Sequence, residues 1–228
     1  ETLMVTTRAL TDSAWVARRI EQGESVFIAG GDQATYVRAW KGTAVERALH
    51  AAWRRGAALG GTSAGAAILG RFSFAALRGS ITSSVALRDP YHGDVTLEDG
   101  FLRLSFLDGA LVDTHFHDRD REGRMLAFLA RIVADGWHEA PLGIGIDAET
   151  ALALGRGGRG RVFGKGAVTI YRPGRPPEVC SPGAGLTFTG VSAWTLRRND
   201  TVDLPAGPTS MPTRSAAATD GALRDLGR

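Results

Sequence analysis

Ser63 lies at the centre of a glycine-flanked pentapeptide, Gly61-Thr62-Ser63-Ala64-Gly65, with apolar residues on both sides. The pattern G-x-S-x-G between a strand and a helix can place a serine on a strained turn with its hydroxyl exposed. Small residues also occur at such turns where a helix packs closely on a strand, so the pentapeptide alone leaves two interpretations open. A serine becomes a nucleophile only when a base lies within hydrogen-bonding distance.

His115 is the strongest candidate for that base among the five histidines. It follows the apolar segment 110–112, and the C-terminal ends of parallel strands form the edge where such sheets build their sites. On an extended chain His117 would point the same way, which makes a metal-binding pair an alternative. We favour the base, because neither a cysteine nor a further histidine clusters with this pair. His50 and His138 lie in a helical segment and in a loop, and carry less signal.

The segment that contains His115 is also rich in charge. One aspartate and three arginines of this segment could meet a substrate: Asp113, Arg119, Arg121 and Arg124. Guanidinium groups bind carboxylates through two parallel hydrogen bonds, so the cluster suits a substrate that carries carboxylates. The alternative is a solvated loop in which the arginines pair with neighbouring acids at little gain in stability.

Apolar segments that end in glycine alternate with amphipathic segments and would position these residues. We predict strands at 26–29, 57–59 and 110–112, and helices from a cap at Asp12 or Ser13 to Gly23, at 44–55, from about 64, and at 121–134. Short apolar strands separated by helices are typical of a parallel sheet covered on both faces.

The C-terminal third is predicted to differ from this pattern. "PLGIGIDAETALALG" indicates a strand, a polar turn and a second strand, and "RVFGKGAVTIYRPG" alternates as in a β-hairpin. Residues 205–228 are rich in Pro, Ala, Thr and Ser without periodicity, so we expect a flexible tail. The predicted organisation is one α/β domain over residues 1–204 followed by that tail.

Composition excludes several classes of protein. The net charge of the 228 residues is only +3, with both signs interspersed, so we expect no nucleic-acid partner. Cys180 is the only cysteine, which leaves no intrachain disulfide and no cysteine-based metal site. No apolar run approaches the roughly 20 residues of a membrane span, and no signal peptide is visible after Glu1. We therefore expect a cytoplasmic protein without a membrane partner.

Four separated blocks resemble the family of cyanophycinases and aspartyl dipeptidase (peptidase E): "AGGDQ" (29–33), "GGTSAGA" (60–66), "DTHFHDRDREGR" (113–124) and "GIGIDAETAL" (143–152). The resemblance implies a doubly wound, mostly parallel α/β sheet with helices on both faces, like that of class I glutamine amidotransferases. It also implies that the family's first strand and helix are absent from this sequence. Cyanophycinases cleave a polymer of aspartate carrying arginine on isopeptide bonds, and release β-aspartyl-arginine.

Carried over by position, the resemblance makes Ser63 the nucleophile and His115 its base. The backbone N–H groups of Gly31 and Ala64 would form the oxyanion hole. Six residues would bind substrate, with the aspartate meeting its cationic end: Gln33, Asp113, Thr114, Arg119, Arg121 and Arg124. No cofactor and no metal are implied.

Two positions depart from the family pattern. The family motif D-Q-H-F has a glutamine where this chain has Thr114, and its triad acid falls at Ala148. Three arrangements remain open: Glu149 reaches His115, Asp147 substitutes for it, or the pair lacks an orienting acid.

The sequence thus predicts a serine hydrolase of β-aspartyl isopeptide or peptide bonds that acts on a small peptide or an aspartate-arginine polymer as a homodimer. The alternatives are a hydrolase of the same fold that acts on another isopeptide or acyl substrate in a tailoring pathway, and a non-catalytic binding homologue.

Overall fold

A computed structural model of the protein describes residues 1–224. The helices of this part are α1 (Arg8–Thr11), α2 (Ala14–Gln22), α3 (Gln33–Trp40), α4 (Ala44–Arg55), α5 (Ala64–Ala67), α6 (Ser83–Arg88) and α7 (Glu122–Ala134). The strands are β1 (Ser25–Ile28), β2 (Ala58–Gly61), β3 (Phe72–Phe74), β4 (Leu97–Asp99), β5 (Ala110–Thr114), β6 (Leu142–Ile146), β7 (Thr150–Leu154), β8 (Arg159–Gly164), β9 (Val168–Pro173), β10 (Phe188–Leu196), β11 (Thr201–Asp203), β12 (Arg214–Thr219) and β13 (Ala222–Arg224).

The longer helices begin and end where the sequence predicts. Ser13 caps α2 by accepting a hydrogen bond from the Val16 backbone N–H, which supplies a partner for an otherwise free amide. Gly56 ends α4 in the left-handed conformation, with φ of 96°, which glycine adopts without steric cost. The helix predicted from about residue 64 is a single turn, α5.

The strands form three sheets. The largest has the order β13-β12-β10-β9-β6-β5-β3-β4, while β1 pairs with β2 and the third sheet has the order β11-β8-β7. Within residues 1–224, the parallel pairs are β1–β2, β3–β5 and β5–β6. The fold is α/β, as predicted, with a mixed sheet in which antiparallel strands flank a parallel centre.

Both faces of the main sheet are covered. On β5, Leu111 packs in one apolar cluster with residues of α7, such as Met125. The neighbouring Ala110 and Val112 pack in a second cluster that contains Leu49 of α4. Side chains alternate across a strand, so successive residues of β5 enter different layers. This is the helix-on-both-faces arrangement expected of the fold.

The predicted hairpin at 161–174 is not formed. β8 pairs with β7 and β11 in the small sheet, whereas β9 pairs with β6 and β10 in the main sheet. Gly164, the last residue of β8, has φ of 109°, and the chain leaves the small sheet for the main sheet after this residue. The alternation of side chains that predicted a hairpin therefore comes from two strands that belong to separate sheets.

The predicted flexible tail also differs from the structure. β12 pairs with β10, and β13 pairs with β12, at the edge of the main sheet. Ala216, Ala217 and Ala218 are all buried, so β12 is covered on both faces and shows no alternation of polar and apolar residues. The last four positions of the expected tail, 225–228, lie outside the described residues.

The topology brings the candidate residues to one region. Ser63 follows the C-terminal end of β2, and His115 follows the C-terminal end of β5. None of the helices in residues 1–224 has the length and the apolar character needed to cross a membrane.

Candidate active site

Ser63 occupies a strained turn between β2 and α5. Its backbone has φ of 50° and ψ of −120°, a combination that costs free energy for a non-glycine residue and that clusters at functional sites. Two glycines allow the turn to approach β1. A Cβ on Gly65 would lie 2.2 Å from the Ile28 carbonyl oxygen, and a Cβ on Gly61 would lie 2.3 Å from the Gly65 carbonyl oxygen. The close packing and the half-buried serine are therefore features of the same turn.

The hydroxyl of Ser63 contacts an imidazole. Its Oγ lies 2.9 Å from Nε2 of His115, which is within the range of a proton transfer from serine to a base. His115 is half-buried and has φ of 49°. Burial lowers the pKa of His115, and the positive charges of Arg119 and Arg121 lower it further. The imidazole is thereby kept neutral near pH 7, as a base must be.

Ser63 lines a cavity of about 380 Å³. The cavity is lined by Gly31, Asp32, Gln33, Arg38, Ser63, Ala64, Ala67, Ala76, Leu77, Gly79, Ser80, Asp113, Thr114, Arg119 and Arg121. The amides of Gly31 and Ala64 donate no hydrogen bond within residues 1–224, so both remain free to face an oxyanion. Tyr36 shapes this loop by donating its hydroxyl to the carbonyl oxygen of Ala29, at 2.8 Å.

Asp113 and two arginines form a buried cluster behind the cavity. Arg124 donates two hydrogen bonds to the Asp113 carboxylate, at 2.7 and 2.6 Å, and Arg121 donates a third at 3.0 Å. Asp113 is 3% exposed and Arg124 is 2% exposed. Such a pair is costly to break because the remaining charge is left buried.

This cluster corrects two predicted substrate contacts. Arg124 does not reach the cavity, since its remaining donors bind Ser80 and the Ile81 carbonyl oxygen. Asp113 lies at the cavity wall, but both of its oxygen atoms already accept hydrogen bonds from arginines, so neither oxygen is without a partner. The spacing of the arginines in the sequence does not show that Arg124 points into the protein while Arg119 and Arg121 line the cavity.

The remaining predicted substrate contacts line the cavity. Gln33 lies at the first turn of α3 and donates its amide to the Phe74 carbonyl oxygen at 3.3 Å. Arg121 also binds the Thr114 carbonyl oxygen, at 2.6 Å. Arg119 is exposed and makes no ion pair within the described residues. Its guanidinium therefore keeps its donors for a ligand.

Sequence reasoning missed two charged residues of the cavity. Arg38 lies near the end of α3 and donates to the Leu77 carbonyl oxygen, while Asp32 caps the start of the same helix through the Ala34 amide, at 3.0 Å. Asp32 follows directly on the Gly30-Gly31 loop, so its place after β1 was a usable signal. Arg38 belongs to no motif.

Neither candidate acid contacts His115. Asp147 accepts hydrogen bonds from the ring and the backbone of His117, at 2.6 and 3.2 Å, and from the Ala167 amide at 2.9 Å. Glu149, with φ of 51°, turns its carboxylate outward to Lys165. The left-handed backbone at Glu149 is the physical reason that its side chain leaves the site. Within residues 1–224, the His115 ring hydrogen-bonds only Ser63.

The two histidines have separate partners. The strand ends at Thr114, so His115 and His117 are not held on one face of an extended chain. Among the described residues, no group of three or more histidine, cysteine, aspartate or glutamate side chains converges as a metal site.

The fold and this serine–histidine geometry define an α/β protein with a serine on a strained strand-to-helix turn. The model of Peptidase family S51 matches residues 2–158. The chain belongs to Peptidase family S51, which confirms the resemblance inferred from its four sequence blocks.

Relatives with assigned names agree with this family. The chain is 33% identical over 186 residues to the cyanophycinase of Trichormus variabilis, which covers 81% of this chain and 57% of that protein. It is 34% identical over 172 residues to the cyanophycinase of Synechococcus elongatus, with 75% and 48% covered. The chain therefore spans about half the length of these relatives.

A solved structure supports the fold. A crystal structure of a peptidase from an acI-B1 Actinobacterium superposes with a TM-score of 0.59. The two chains are 18% identical, and the match covers 88% of this chain and 67% of the other.

Proposed function

We propose that the protein is a serine hydrolase that cleaves β-aspartyl isopeptide or peptide bonds and releases β-aspartyl-arginine products. The observation that carries this proposal is the 2.9 Å contact between Ser63 Oγ and His115 Nε2 at the mouth of a charged cavity. Membership of Peptidase family S51 and the identity to two cyanophycinases support the choice of substrate.

In the proposed mechanism, neutral His115 takes the proton of Ser63 as the hydroxyl attacks the scissile carbonyl. The tetrahedral intermediate places its negative oxygen against the amides of Gly31 and Ala64, whose positions are fixed before the reaction begins. His115 then gives the proton to the leaving amine. A water molecule hydrolyses the acyl-enzyme with the same histidine as base.

The charges of the cavity suit a substrate with groups of both signs. A β-aspartyl-arginine unit carries a carboxylate and a guanidinium. In our proposal, Arg119 and Arg38 bind the carboxylate and Asp32 meets the guanidinium, since the oxygen atoms of Asp113 are occupied. Arg121 supports the carboxylate site while it holds Asp113. Gln33 and Thr114 line the wall beside the scissile bond.

The direct test is turnover of an aspartate-arginine polymer by the Ser63→Ala variant. We expect release of β-aspartyl-arginine to fall at least about 10³-fold, because the nucleophile is lost while the oxyanion donors remain. Ser210→Ala is the matched control, since its side chain is exposed and makes no hydrogen bond within residues 1–224. Undiminished release by Ser63→Ala would reject the proposal.

A second candidate is a hydrolase of the same mechanism with another isopeptide or acyl substrate. Thr114 favours it, because a threonine in place of the family's glutamine offers no amide at the cavity wall. A panel of isopeptides distinguishes the two. Release of β-aspartyl-arginine by the wild-type protein supports the first candidate, and cleavage of another isopeptide alone supports the second.

Within residues 1–224 the second ring nitrogen of His115 has no hydrogen-bond partner, which favours a third candidate, a binding homologue without catalysis. A panel in which no substrate is cleaved, together with binding of β-aspartyl-arginine to the intact protein, would support this candidate.

A further inference from the structure

Within residues 1–224, no carboxylate orients the His115 ring, although the backbone of this residue is strained. Its backbone φ of 49° is unfavourable for a residue with a side chain, and such a conformation persists only when the surrounding structure imposes it. Within the described residues no carboxylate hydrogen-bonds the ring. Apart from the contact with Ser63, the hydrogen bonds that bear on the position of the imidazole are therefore those of the backbone that carries it.

The segment 115–118 is tied to the segment 145–148 by hydrogen bonds that run in both directions. Asp147 accepts from the His117 amide at 3.2 Å and from the His117 ring at 2.6 Å. Asp118 accepts from the Ala148 amide at 3.0 Å. Each segment thus supplies a carboxylate to the backbone of the other, and we call these contacts the aspartate clasp.

Packing brings the same two segments into contact. The Phe116 amide donates to the Ile146 carbonyl oxygen at 3.1 Å, and the Phe116 ring is fully buried. A Cβ on Gly145 would lie 2.5 Å from this ring, so only glycine leaves room for it. The clasp lies next to this contact, beyond the C-terminal ends of β5 and β6.

The clasp lies outside the paired part of β5 and β6. β5 and β6 are already paired in register up to Thr114 and Ile146, and the clasp begins beyond that point. Loss of the Asp118 carboxylate would therefore free the loop that carries His115 while the strands stay paired.

We propose that Asp118 and Asp147 are positioning residues that hold His115 against Ser63 through this clasp, in place of an acid on the imidazole ring. The proposal rests on the proposed function, because it gives His115 a task to be positioned for. Neither aspartate touches the substrate or the reacting atoms.

The test is the rate at which a fluorophosphonate labels Ser63 at pH 8. The pKa of His115 lies below its ordinary value, so the imidazole is neutral at this pH and loss of a nearby charge does not alter its protonation. We expect Asp118→Ala to slow labelling about tenfold or more, since a displaced base loses its alignment. Asp118→Asn retains an oxygen acceptor for the Ala148 amide and should stay within about threefold of wild type.

Asp120→Asn is the matched control. It removes a carboxylate two positions along the same loop, and within residues 1–224 its side chain accepts no hydrogen bond. We expect wild-type labelling. If Asp118→Ala does not fold, Asp147→Ala and Asp147→Asn repeat the comparison from the other segment.

The proposal is overturned if Asp118→Ala labels at the wild-type rate, or if Asp118→Asn is as slow as Asp118→Ala. A wild-type protein that is not labelled at all rejects the proposed function instead. The clasp is then judged by crystal structures, in which the distance from Ser63 Oγ to His115 Nε2 should lengthen in Asp118→Ala and remain near 2.9 Å in Asp118→Asn. Equal distances in the two variants would overturn it.

Discussion

The serine half and the histidine half of the site are held in different ways. Ser63 lies on a turn whose glycines pack backbone against backbone, with a Cβ position at Gly65 only 2.2 Å from a carbonyl oxygen of β1. His115 lies on a loop that exchanges hydrogen bonds with a distant segment, and each side supplies one carboxylate. Close backbone packing fixes Ser63, and side-chain hydrogen bonds fix the loop that carries His115. Substitutions in the serine half should therefore destabilise the fold, whereas substitutions in the histidine half should displace His115 from Ser63.

The largest expected effect is on the serine half. Gly65→Ala should destabilise the protein by more than about 4 kcal/mol, because the new methyl group meets two carbonyl oxygens of the backbone that cannot move aside. Urea unfolding of the purified variant measures this. Gly155→Ala is the control, since its Cβ would meet nothing nearer than 3.6 Å. A Gly65→Ala variant as stable as this control would show that close backbone packing does not hold the serine turn.

The next effect concerns the buried pair beneath the histidine half. Arg124→Met should cost about 3 kcal/mol in the free energy of unfolding, because Asp113 loses two hydrogen bonds while it stays buried. Arg119→Met removes an exposed arginine of the same segment and should change stability by less than about 0.5 kcal/mol. Equal unfolding midpoints for the two variants would show that the cluster does not anchor this half.

A smaller expected effect is a gain in catalytic activity. Ala148→Glu places a carboxylate where the family has its triad acid, beside the loop that carries His115. If the carboxylate binds the imidazole, kcat/KM should rise about tenfold or more. Ala148→Gln has the same size without the charge and should leave kcat/KM unchanged. Equal values for the two variants would indicate that the histidine half cannot use an acid at this position.

The smallest effect is a change in pH dependence. The positive charge of Arg119 disfavours the imidazolium and so lowers the pKa of His115. Arg119→Gln removes that charge, so the pKa should rise and the acid limb of kcat/KM should move to higher pH by less than about one unit. Arg78→Gln removes an exposed arginine outside the cavity and should leave the limb in place. A limb that stays fixed, or moves to lower pH, in Arg119→Gln contradicts this assignment.

The same division explains what the sequence could predict. The serine turn, α4 and the α/β class follow from local patterns, namely glycine spacing and amphipathic periodicity. The outward turn of Glu149 depends on one left-handed residue, and the burial of Arg124 depends on which face of α7 meets Asp113. Neither the backbone conformation of Glu149 nor the side of α7 that faces Asp113 can be read from the neighbouring residues in the sequence. The strand β12 was missed because buried alanines on both faces leave no alternation to detect.

We propose that Ser63 is a nucleophile activated by His115. Peptide mapping by mass spectrometry after fluorophosphonate treatment shows which side chain reacts. We predict one adduct, on the peptide that contains Ser63, and labelling slowed at least about 10²-fold in His115→Ala. An adduct elsewhere in the wild-type protein, or unchanged labelling of Ser63 without His115, would contradict the claim.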